Sequence, residues 1–148
     1  MTKKILIAGT FDILHPGHIF FINEAAKLGD VHVVVATDSN ANRFKGRAPV
    51  IPEEQRLEVV KNIKNVSDAR LGRKDNNTLK TVEEIDPDVV LLGPDQKYGV
   101  DTLKKELEDL GLHHIEVKRL EKYYDKFDLH SSSLIKKRII EQYNKENS

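Results

Sequence analysis

Two histidines, His15 and His18, stand three positions apart in the stretch GTFDILHPGH, residues 9–18. The stretch follows a short apolar run and precedes a helical pattern, so it predicts a strand that turns into a helix. In such a turn Pro16 suits the first helical position, and Gly17 lets a ligand approach the backbone. Both imidazoles then lie on one face of the first turn, beside free N–H groups at the positive end of the helix dipole. This arrangement favours binding of an anionic group such as a phosphate.

Other interpretations of the histidine pair are a structural core histidine, a helix cap and half of a metal site. A zinc site needs a third ligand, and the other histidines, at positions 32, 113, 114 and 130, show no suitable spacing. The chain has no cysteine, which excludes disulfides, thiolate nucleophiles and Cys-ligated metals. Because the order strand, glycine, HxGH, helix is more specific than HxxH alone, we interpret the pair as a phosphate site without identifiable protein ligands for a metal.

A second candidate anion site is the stretch HSSSLIKKR, residues 130–138. Its serines, Ser131, Ser132 and Ser133, predict the capped start of a last helix over about residues 132–144. A helix start also attracts anions, so these serines are candidates to bind phosphates beside the histidines. We expect four apolar residues on the inner side of this helix: Leu134, Ile135, Ile139 and Tyr143.

The elements that must position these residues alternate along the chain. Short apolar runs, mostly β-branched, predict strands that are buried on both faces of a parallel sheet. These runs are residues 5–8, 31–36, 69–71, 89–92 and 115–117. Helical patterns lie at residues 17–28, 52–63, 79–85, 103–110 and at the end of the chain. The order predicts an α/β fold, a doubly wound five-stranded parallel sheet in a single domain over residues 1–148, whose ligands bind at the carboxyl ends of the strands.

Two long stretches of the chain, residues 38–51 and 119–130, show no regular pattern, and we expect them to be irregular loops that are functional or mobile. The 24 Lys and Arg residues balance the 24 Asp and Glu residues, so no overall field attracts nucleic acid or an anionic membrane. No apolar run approaches the ~20 residues of a membrane span. We therefore expect a cytoplasmic protein with no nucleic-acid or membrane partner.

The stretch GTFDILHPGH resembles the HxGH motif of the cytidylyltransferase-like nucleotidyltransferases, and the similarity extends over nearly the whole chain. The resemblance implies a Rossmann-like sheet on which a nucleoside triphosphate binds over the HxGH helix. It also implies that a phosphate oxygen of an acceptor attacks the α-phosphorus and releases pyrophosphate. Such a nucleophile is already ionised at neutral pH, so the site has to position the reactants and stabilise negative charge.

The resemblance also assigns roles to individual residues. The implied catalytic residues are His15, His18 and Lys45, the last in RFKGR at the position of the family's mobile-loop lysine. The implied nucleotide contacts come from three motifs: Thr10, Phe11, His15, Pro16, Gly17, His18, Asp95, Ser131, Ser132 and Ser133. Asp95 lies in LLGPDQ, after the fourth predicted strand, where family members contact the base or ribose. HSSSLIKKR resembles the family's ISSTxxR or ISSSLVK motif, with Lys136 near the basic position and Arg138 two residues later than the family's arginine.

The acceptor-binding candidates are Asp12, Asp38, Arg56 and Tyr123. Asp12 either binds the acceptor or metal or only holds the turn. Arg56 either matches a helix arginine of the family or belongs to a solvated helix face. Tyr123 and its neighbour Tyr124 either stack on a substrate ring or pack against the protein.

Four segments together, GTFDILHPGH, KGRxPxIPEEQR, LGPDQ and FxxHSS, look most similar to the archaeal FAD synthases. That resemblance implies transfer of AMP from ATP to FMN, with a divalent metal, Mg²⁺, and a homodimer. One alternative is a CTP-dependent cytidylyltransferase of a small phosphorylated alcohol such as glycerol 3-phosphate. A second alternative is a nucleotide-binding sensor that keeps the fold without turnover.

Overall fold

A computed structural model describes residues 2–147, so the ends of the predicted domain, Met1 and Ser148, lie outside the described residues. Its five strands form one sheet in the order β3-β2-β1-β4-β5, and every adjacent pair is parallel. In chain order the strands are β1 (Lys4–Gly9), β2 (Asp30–Val35), β3 (Val66–Leu71), β4 (Val89–Leu92) and β5 (Glu116–Arg119). The predicted five-stranded parallel sheet is confirmed. β3 begins earlier than its apolar run, because it is an edge strand in which Ser67 and Asp68 are polar and exposed.

Helices cover both faces of the sheet. They are α1 (Pro16–Ala26), α2 (Asp38–Lys45), α3 (Glu53–Lys61), α4 (Thr78–Ile85), α5 (Val100–Asp109) and α6 (Ser132–Glu146). On one face Ile22 of α1 and Val60 of α3 are fully buried against the strands. On the other face Val82 of α4 and Leu107 of α5 are buried in a second cluster. The sheet is therefore doubly wound, with β1 at its centre, and its strand order reverses between β1 and β4.

Helix α2 corrects the prediction of an irregular stretch over residues 38–51. The Thr37 side chain caps this helix by accepting a hydrogen bond from the Asn40 N–H at 3.1 Å. Gly46 ends it in a left-handed conformation with φ 74°. Only Ala41 is buried, so the helix has no apolar stripe by which a periodicity argument could detect it.

Helix α6 corrects part of a second prediction, because the later half of its expected inner face is exposed to solvent. Ile139 is 55% exposed and Tyr143 is 65% exposed. Leu134 and Ile135 are half-buried, and every residue from 137 to 147 is exposed. Within residues 2–147 the partly buried positions of α6 therefore lie at its start, which is the part that carries the serines.

No helix within residues 2–147 combines the length and the apolar character that crossing a bilayer requires.

Candidate active site

The histidine pair caps α1 through a reciprocal pair of hydrogen bonds. The Gly17 N–H donates to His15 Nδ1 at 3.0 Å, and the His15 N–H donates to His18 Nδ1 at 3.2 Å. Because each Nδ1 accepts, each neutral ring carries its proton on Nε2. The cap interpretation is therefore correct, and the cap occupies only the Nδ1 atoms of the two rings. Within residues 2–147 neither Nε2 has a hydrogen-bond partner, so both remain available as donors.

The surroundings of the pair keep both rings neutral. Desolvation and the nearby charges of His15 and Lys45 lower the pKa of His18 to about 3. Desolvation and the neighbouring His130 also lower the pKa of His15. The ring centroids are 3.8 Å apart with a 33° angle between the planes. Two neutral N–H donors thus lie side by side at the positive end of α1. An anion can accept hydrogen bonds from them with no change in the protonation of either ring.

Gly17 and Phe11 fix the shape of this turn. A Cβ at position 17 would lie 2.7 Å from Cε1 of His15 and 2.9 Å from the His130 carbonyl oxygen, so only glycine fits there. Phe11 is 3% exposed, has φ 52°, and its ring centroid lies 5.2 Å from that of His18. A buried aromatic residue in the left-handed region is strained and has to be held by its surroundings. The Phe11 side chain is therefore buried and packs next to the His18 ring.

The serine-rich start of α6 joins the same turn. Ser131 caps α6 by accepting a hydrogen bond from the Leu134 N–H at 3.2 Å. Ser132 Oγ donates to the Ile13 carbonyl oxygen at 3.0 Å, which ties α6 to the loop before the histidines. Ser133 is exposed. The two predicted anion-binding stretches therefore meet in the fold through a direct contact between Ile13 and Ser132, which are 119 residues apart in sequence.

Asp12 links three segments around the site. Its carboxylate accepts hydrogen bonds from the Val50 N–H at 2.9 Å and the Ile51 N–H at 2.8 Å. Lys136 Nζ of α6 lies 3.3 Å from the same carboxylate. Burial by itself raises the pKa of Asp12, but these hydrogen bonds and Lys136 outweigh it and lower the pKa. Asp12 thus holds the loop that follows Lys45 against both α6 and the turn after β1.

Lys45 ends α2 with an exposed side chain. Partial desolvation of its ammonium group and the positive charge of Lys136 lower the pKa of Lys45, while Asp12 acts in the opposite direction. Lys45 and Lys136 therefore repel each other on the same side of the histidines. A polyphosphate that binds between them relieves this repulsion.

Arg56 is almost completely buried at 1% exposure, which corrects the alternative of a solvated helix face. Its guanidinium donates to the carbonyl oxygens of Thr10 at 2.6 Å, Ala36 at 2.8 Å and Ile51 at 2.8 Å. It also pairs with Asp38 Oδ1 at 2.8 Å. Arg56 therefore joins the segments that leave β1 and β2, and Asp38 serves as its counter-ion. The two acceptor-binding candidates Arg56 and Asp38 lie together and bind each other.

Asp95 and Tyr123 meet on the β4 side of the site. The Tyr123 hydroxyl donates to Asp95 Oδ1 at 2.6 Å, and this bond raises the pKa of Tyr123. Both side chains are exposed. Tyr124 instead packs on Phe20 with ring centroids 5.3 Å apart, which supports the packing interpretation for that residue.

Two residues that shape this side were missing from the sequence-based site. Gln96 bridges the strands, since its Oε1 accepts from the Gly93 N–H at 2.6 Å and its Nε2 donates to the Ala8 carbonyl oxygen at 3.2 Å. Arg119 donates to the carbonyl oxygens of Gly93 at 2.7 Å and Gln96 at 2.9 Å. Arg119 is the last residue of β5, so the rule that sites lie at carboxyl strand ends was the signal that could have found it.

The arrangement as a whole suits phosphoryl-group chemistry rather than nucleophilic catalysis. Neutral imidazole donors, a helix start and two lysines surround one surface, and none of these groups is an activated nucleophile. Within residues 2–147 no three His, Asp or Glu side chains cluster so that they could hold a metal ion.

Comparisons with known proteins agree with this chemistry. The family model described as "Cytidylyltransferase-like" matches residues 6–138. The "FAD synthase" of Methanothermobacter thermautotrophicus is 47% identical over 141 residues, which cover 93% of this chain and 91% of the relative. The "FAD synthase" of Methanopyrus kandleri is 46% identical over 147 residues, with 95% and 94% coverage.

A solved structure, titled "lipopolysaccharide core biosynthesis protein" from Thermoplasma volcanium GSS1, is 39% identical with a TM-score of 0.79. The match covers 84% of this chain and 100% of the chain in that structure. The family match and the two relatives each span most of the sequence, including the histidine turn and the serine-rich start of α6. The chain therefore belongs to the cytidylyltransferase-like family of nucleotidyltransferases, together with these archaeal FAD synthases.

Proposed function

We propose that the protein is an FMN adenylyltransferase, which transfers AMP from ATP to FMN and yields FAD and pyrophosphate. The observation that carries the proposal is the similarity to proteins named FAD synthase at 43–47% identity over 93% of the chain. The donor array at α1 is compatible with this reaction, because phosphoryl transfer needs charge stabilisation above all. Cytidylyl transfer to glycerol 3-phosphate and a sensor without turnover are not favoured by these relatives.

The chemical step needs no base from the protein. A phosphate oxygen of FMN attacks the α-phosphorus of ATP, the bond to the bridging oxygen breaks, and pyrophosphate leaves with the bonding electrons. In the proposal His15 and His18 donate from Nε2 to oxygens of the reacting phosphates, where negative charge accumulates. Lys45 and Lys136 stabilise the same charge from α2 and α6. Removal of one such donor typically costs ~10²–10³ in rate.

The proposed nucleotide site extends from β1 toward β4. The backbone at Thr10, Phe11, Pro16 and Gly17 frames the phosphates, with Ser131, Ser132 and Ser133 opposite them. Asp95, positioned by Tyr123, contacts the ribose or base. Asp12, Asp38 and Arg56 act by holding the surrounding loops in place rather than by touching the acceptor, because their polar groups are already paired.

The proposal includes Mg²⁺ as the divalent metal, a homodimer and a cytoplasmic location. No set of protein ligands for the metal is found within residues 2–147, so the nucleotide phosphates themselves are its expected ligands. Chelation with EDTA should abolish turnover, and added Mg²⁺ should restore it. Sedimentation velocity tests the homodimer, which rests on the family resemblance.

The decisive experiment offers ATP or CTP with FMN or glycerol 3-phosphate in four combinations. FAD is measured by chromatography with fluorescence detection, and pyrophosphate by a coupled assay. We expect both products with ATP and FMN only. Pyrophosphate release with CTP and glycerol 3-phosphate would support the cytidylyltransferase instead, and no product in any combination would support the sensor. The variant His18→Asn, purified in parallel, controls for a contaminating enzyme.

A further inference from the structure

The Arg119 side chain binds three carbonyl oxygens of a single loop. Its Nη1 donates to the Gly93 oxygen at 2.7 Å and to the Gln96 oxygen at 2.9 Å, and its Nη2 donates to the Tyr98 oxygen. A guanidinium presents its N–H donors in a rigid plane, so it can hold several carbonyl groups at fixed positions. The negative ends of these carbonyl dipoles converge and would repel one another without the cation. Arg119 therefore determines the path of residues 93–98.

Arg119 lies at the carboxyl end of β5, directly beside the start of this loop. The register of β4 and β5 pairs Leu92 with Arg119, and the Leu120 N–H donates to the Leu92 carbonyl oxygen at 2.8 Å. The loop begins at the next residue, Gly93. Ligands of doubly wound sheets bind at the carboxyl ends of the strands. Arg119 is thus at the edge of the sheet where the nucleotide is proposed to bind, but its guanidinium contacts the protein's own backbone.

Gln96 fixes the same loop from the other side. Its N–H donates to the Gly93 carbonyl oxygen at 3.3 Å, which closes a turn with Pro94 and Asp95 at its tip. Its side chain accepts from the Gly93 N–H at 2.6 Å and donates to the Ala8 carbonyl oxygen at 3.2 Å. The strand order reverses between β1 and β4, so this side chain spans the point of reversal. The turn of residues 93–96 is therefore attached both to β5 and to the strand that leads into the histidines.

This turn presents the Asp95 carboxylate to solvent. Asp95 is exposed, and its Oδ1 accepts a hydrogen bond from the Tyr123 hydroxyl at 2.6 Å. Its other oxygen, Oδ2, has no hydrogen-bond partner within residues 2–147. An acceptor on a rigid turn binds a donor with little loss of conformational entropy. The ribose hydroxyls and the amino group of adenine are donors of this kind, so the position of Asp95 bears directly on nucleotide binding.

We propose that Arg119 is a positioning residue that, together with Gln96, sets the affinity of the site for the ribose and base of the nucleotide. The proposal rests on the proposed function. Arg119 acts through the 93–96 turn and the carboxylate of Asp95, because its guanidinium is occupied by backbone carbonyl groups. It therefore contributes to nucleotide binding and not to the stabilisation of charge at the reacting phosphates.

The test measures ATP binding in the absence of FMN by isothermal titration calorimetry. Arg119→Met removes the guanidinium, and Arg119→Lys keeps the charge without the planar set of donors. Arg70→Met is the matched control, since Arg70 is a half-buried arginine near the end of β3 and pairs with Glu84 at 3.2 Å. We expect Arg119→Met to bind ATP ~10–100-fold more weakly, Arg119→Lys to retain part of the affinity, and the control to bind as wild type. The kcat at saturating ATP and the KM for FMN should not change.

Inorganic tripolyphosphate separates this role from a general structural one. It carries the phosphate chain without ribose or base, and its affinity is measured from its competition with ATP. Wild type and Arg119→Met should bind it equally, which would also show that the variant keeps the fold of the phosphate site. An equal loss of affinity for ATP and tripolyphosphate overturns the proposal, because Arg119 would then act on the phosphates or on the whole fold.

A double-mutant cycle tests whether Arg119 acts through Asp95. In the Asp95→Ala background, Arg119→Met should cost little further ATP affinity, since residues that act as a unit are not additive. Additive losses overturn the proposal, and so does a fall in kcat with unchanged affinity for ATP. If Arg119→Met does not fold, Arg119→Lys replaces it in the same comparisons.

The proposed function is scored separately, by FAD formation with wild type. Wild type that binds ATP but makes no FAD refutes the proposed function, and the binding comparisons still decide the role of Arg119. Wild-type FAD synthesis with unchanged ATP affinity in both Arg119 variants refutes only the positioning role.

Discussion

His18 uses its two ring nitrogens for different tasks, and two substitutions separate them. Nδ1 accepts the His15 N–H at 3.2 Å, and Nε2, which has no hydrogen-bond partner within residues 2–147, is the proposed phosphate donor. Asparagine retains an acceptor close to the position of Nδ1 but has no donor near Nε2, whereas glutamine can place its amide nitrogen near Nε2. We expect His18→Asn to lose ~10²–10³ in kcat, as enzymes do when one transition-state donor is removed. His18→Gln should keep more activity and lose the cap bond, at a cost of ~1 kcal/mol.

The depressed pKa of His18 also predicts a pH dependence of stability. The pKa is about 3 in the folded protein, against 6.5 for a histidine side chain in an unfolded chain. The stabilisation that depends on the neutral ring is complete above pH 6.5 and is lost as the pH falls toward 3, because only the unfolded chain then takes up the proton. At pH 5 the difference amounts to about 2 kcal/mol, from 1.36 kcal/mol per pH unit. Both His18 variants should lack this loss of stability, because they have no histidine at position 18.

Urea unfolding of wild type, His18→Asn and His18→Gln at pH 7 and pH 5 measures the difference, and FAD formation at pH 7 measures the activities. His113→Gln, at an exposed position, is the control for loss of a histidine as such. Wild type should lose about 2 kcal/mol more than either His18 variant between the two pH values. Near-normal turnover of His18→Asn would refute the donor assignment, and equal pH dependence in wild type and variants would refute the neutral, desolvated ring.

Three further substitutions test the groups around the histidines. Arg56→Met deletes a buried guanidinium and leaves the carbonyl oxygens of Thr10 and Ala36 unpaired. The free energy of unfolding in urea should therefore fall by ~3–5 kcal/mol. A loss below ~1 kcal/mol would show that these hydrogen bonds contribute little to stability. Lys45→Met should lower kcat for FAD formation ~10²-fold with an unchanged melting temperature, and Lys45→Arg should retain part of the rate. An equal loss of kcat in the two variants would argue against a role for the positive charge. Asp12→Asn weakens the link to Lys136. Because folding lowers the pKa of Asp12, the variant should be less stable than wild type at pH 7, and this difference should vanish as the pH falls below ~4. A stability difference that persists below that pH would show that the charge of Asp12 is irrelevant.

Periodicity was sufficient for the elements that bury apolar residues. The runs at residues 31–36 and 89–92 are buried on both faces, so they predicted parallel strands directly. Helix α2 was missed because it buries only Ala41 and depends on the Thr37 cap and Gly46. The apolar side of α6 was predicted to face the protein interior along its whole length. Helical spacing of apolar residues does not reveal whether another surface packs against them. Ile139 and Tyr143 are more than half exposed.

The site shows the same division at the level of single residues. HxGH and the serines at residues 131–133 were candidates from their order along the chain, and Lys45 was a candidate from its match to the family's loop lysine. The tautomer of His18, the burial of Arg56 and the carbonyl contacts of Arg119 did not follow, because each depends on atoms that are distant in sequence or on how a backbone turn is closed.

The sequence by itself determined the sheet and the helix start that carries the histidines, since these depend on local propensity and on the order of elements. The class of chemistry followed from the resemblance of its motifs to the HxGH family. Only the tertiary structure decided that the imidazoles are neutral Nε2 donors, because desolvation and the two cap bonds set their protonation. It likewise decided that Arg56 joins the ends of β1 and β2, since a charged side chain is buried only where folding brings carbonyl oxygens and a carboxylate together around it.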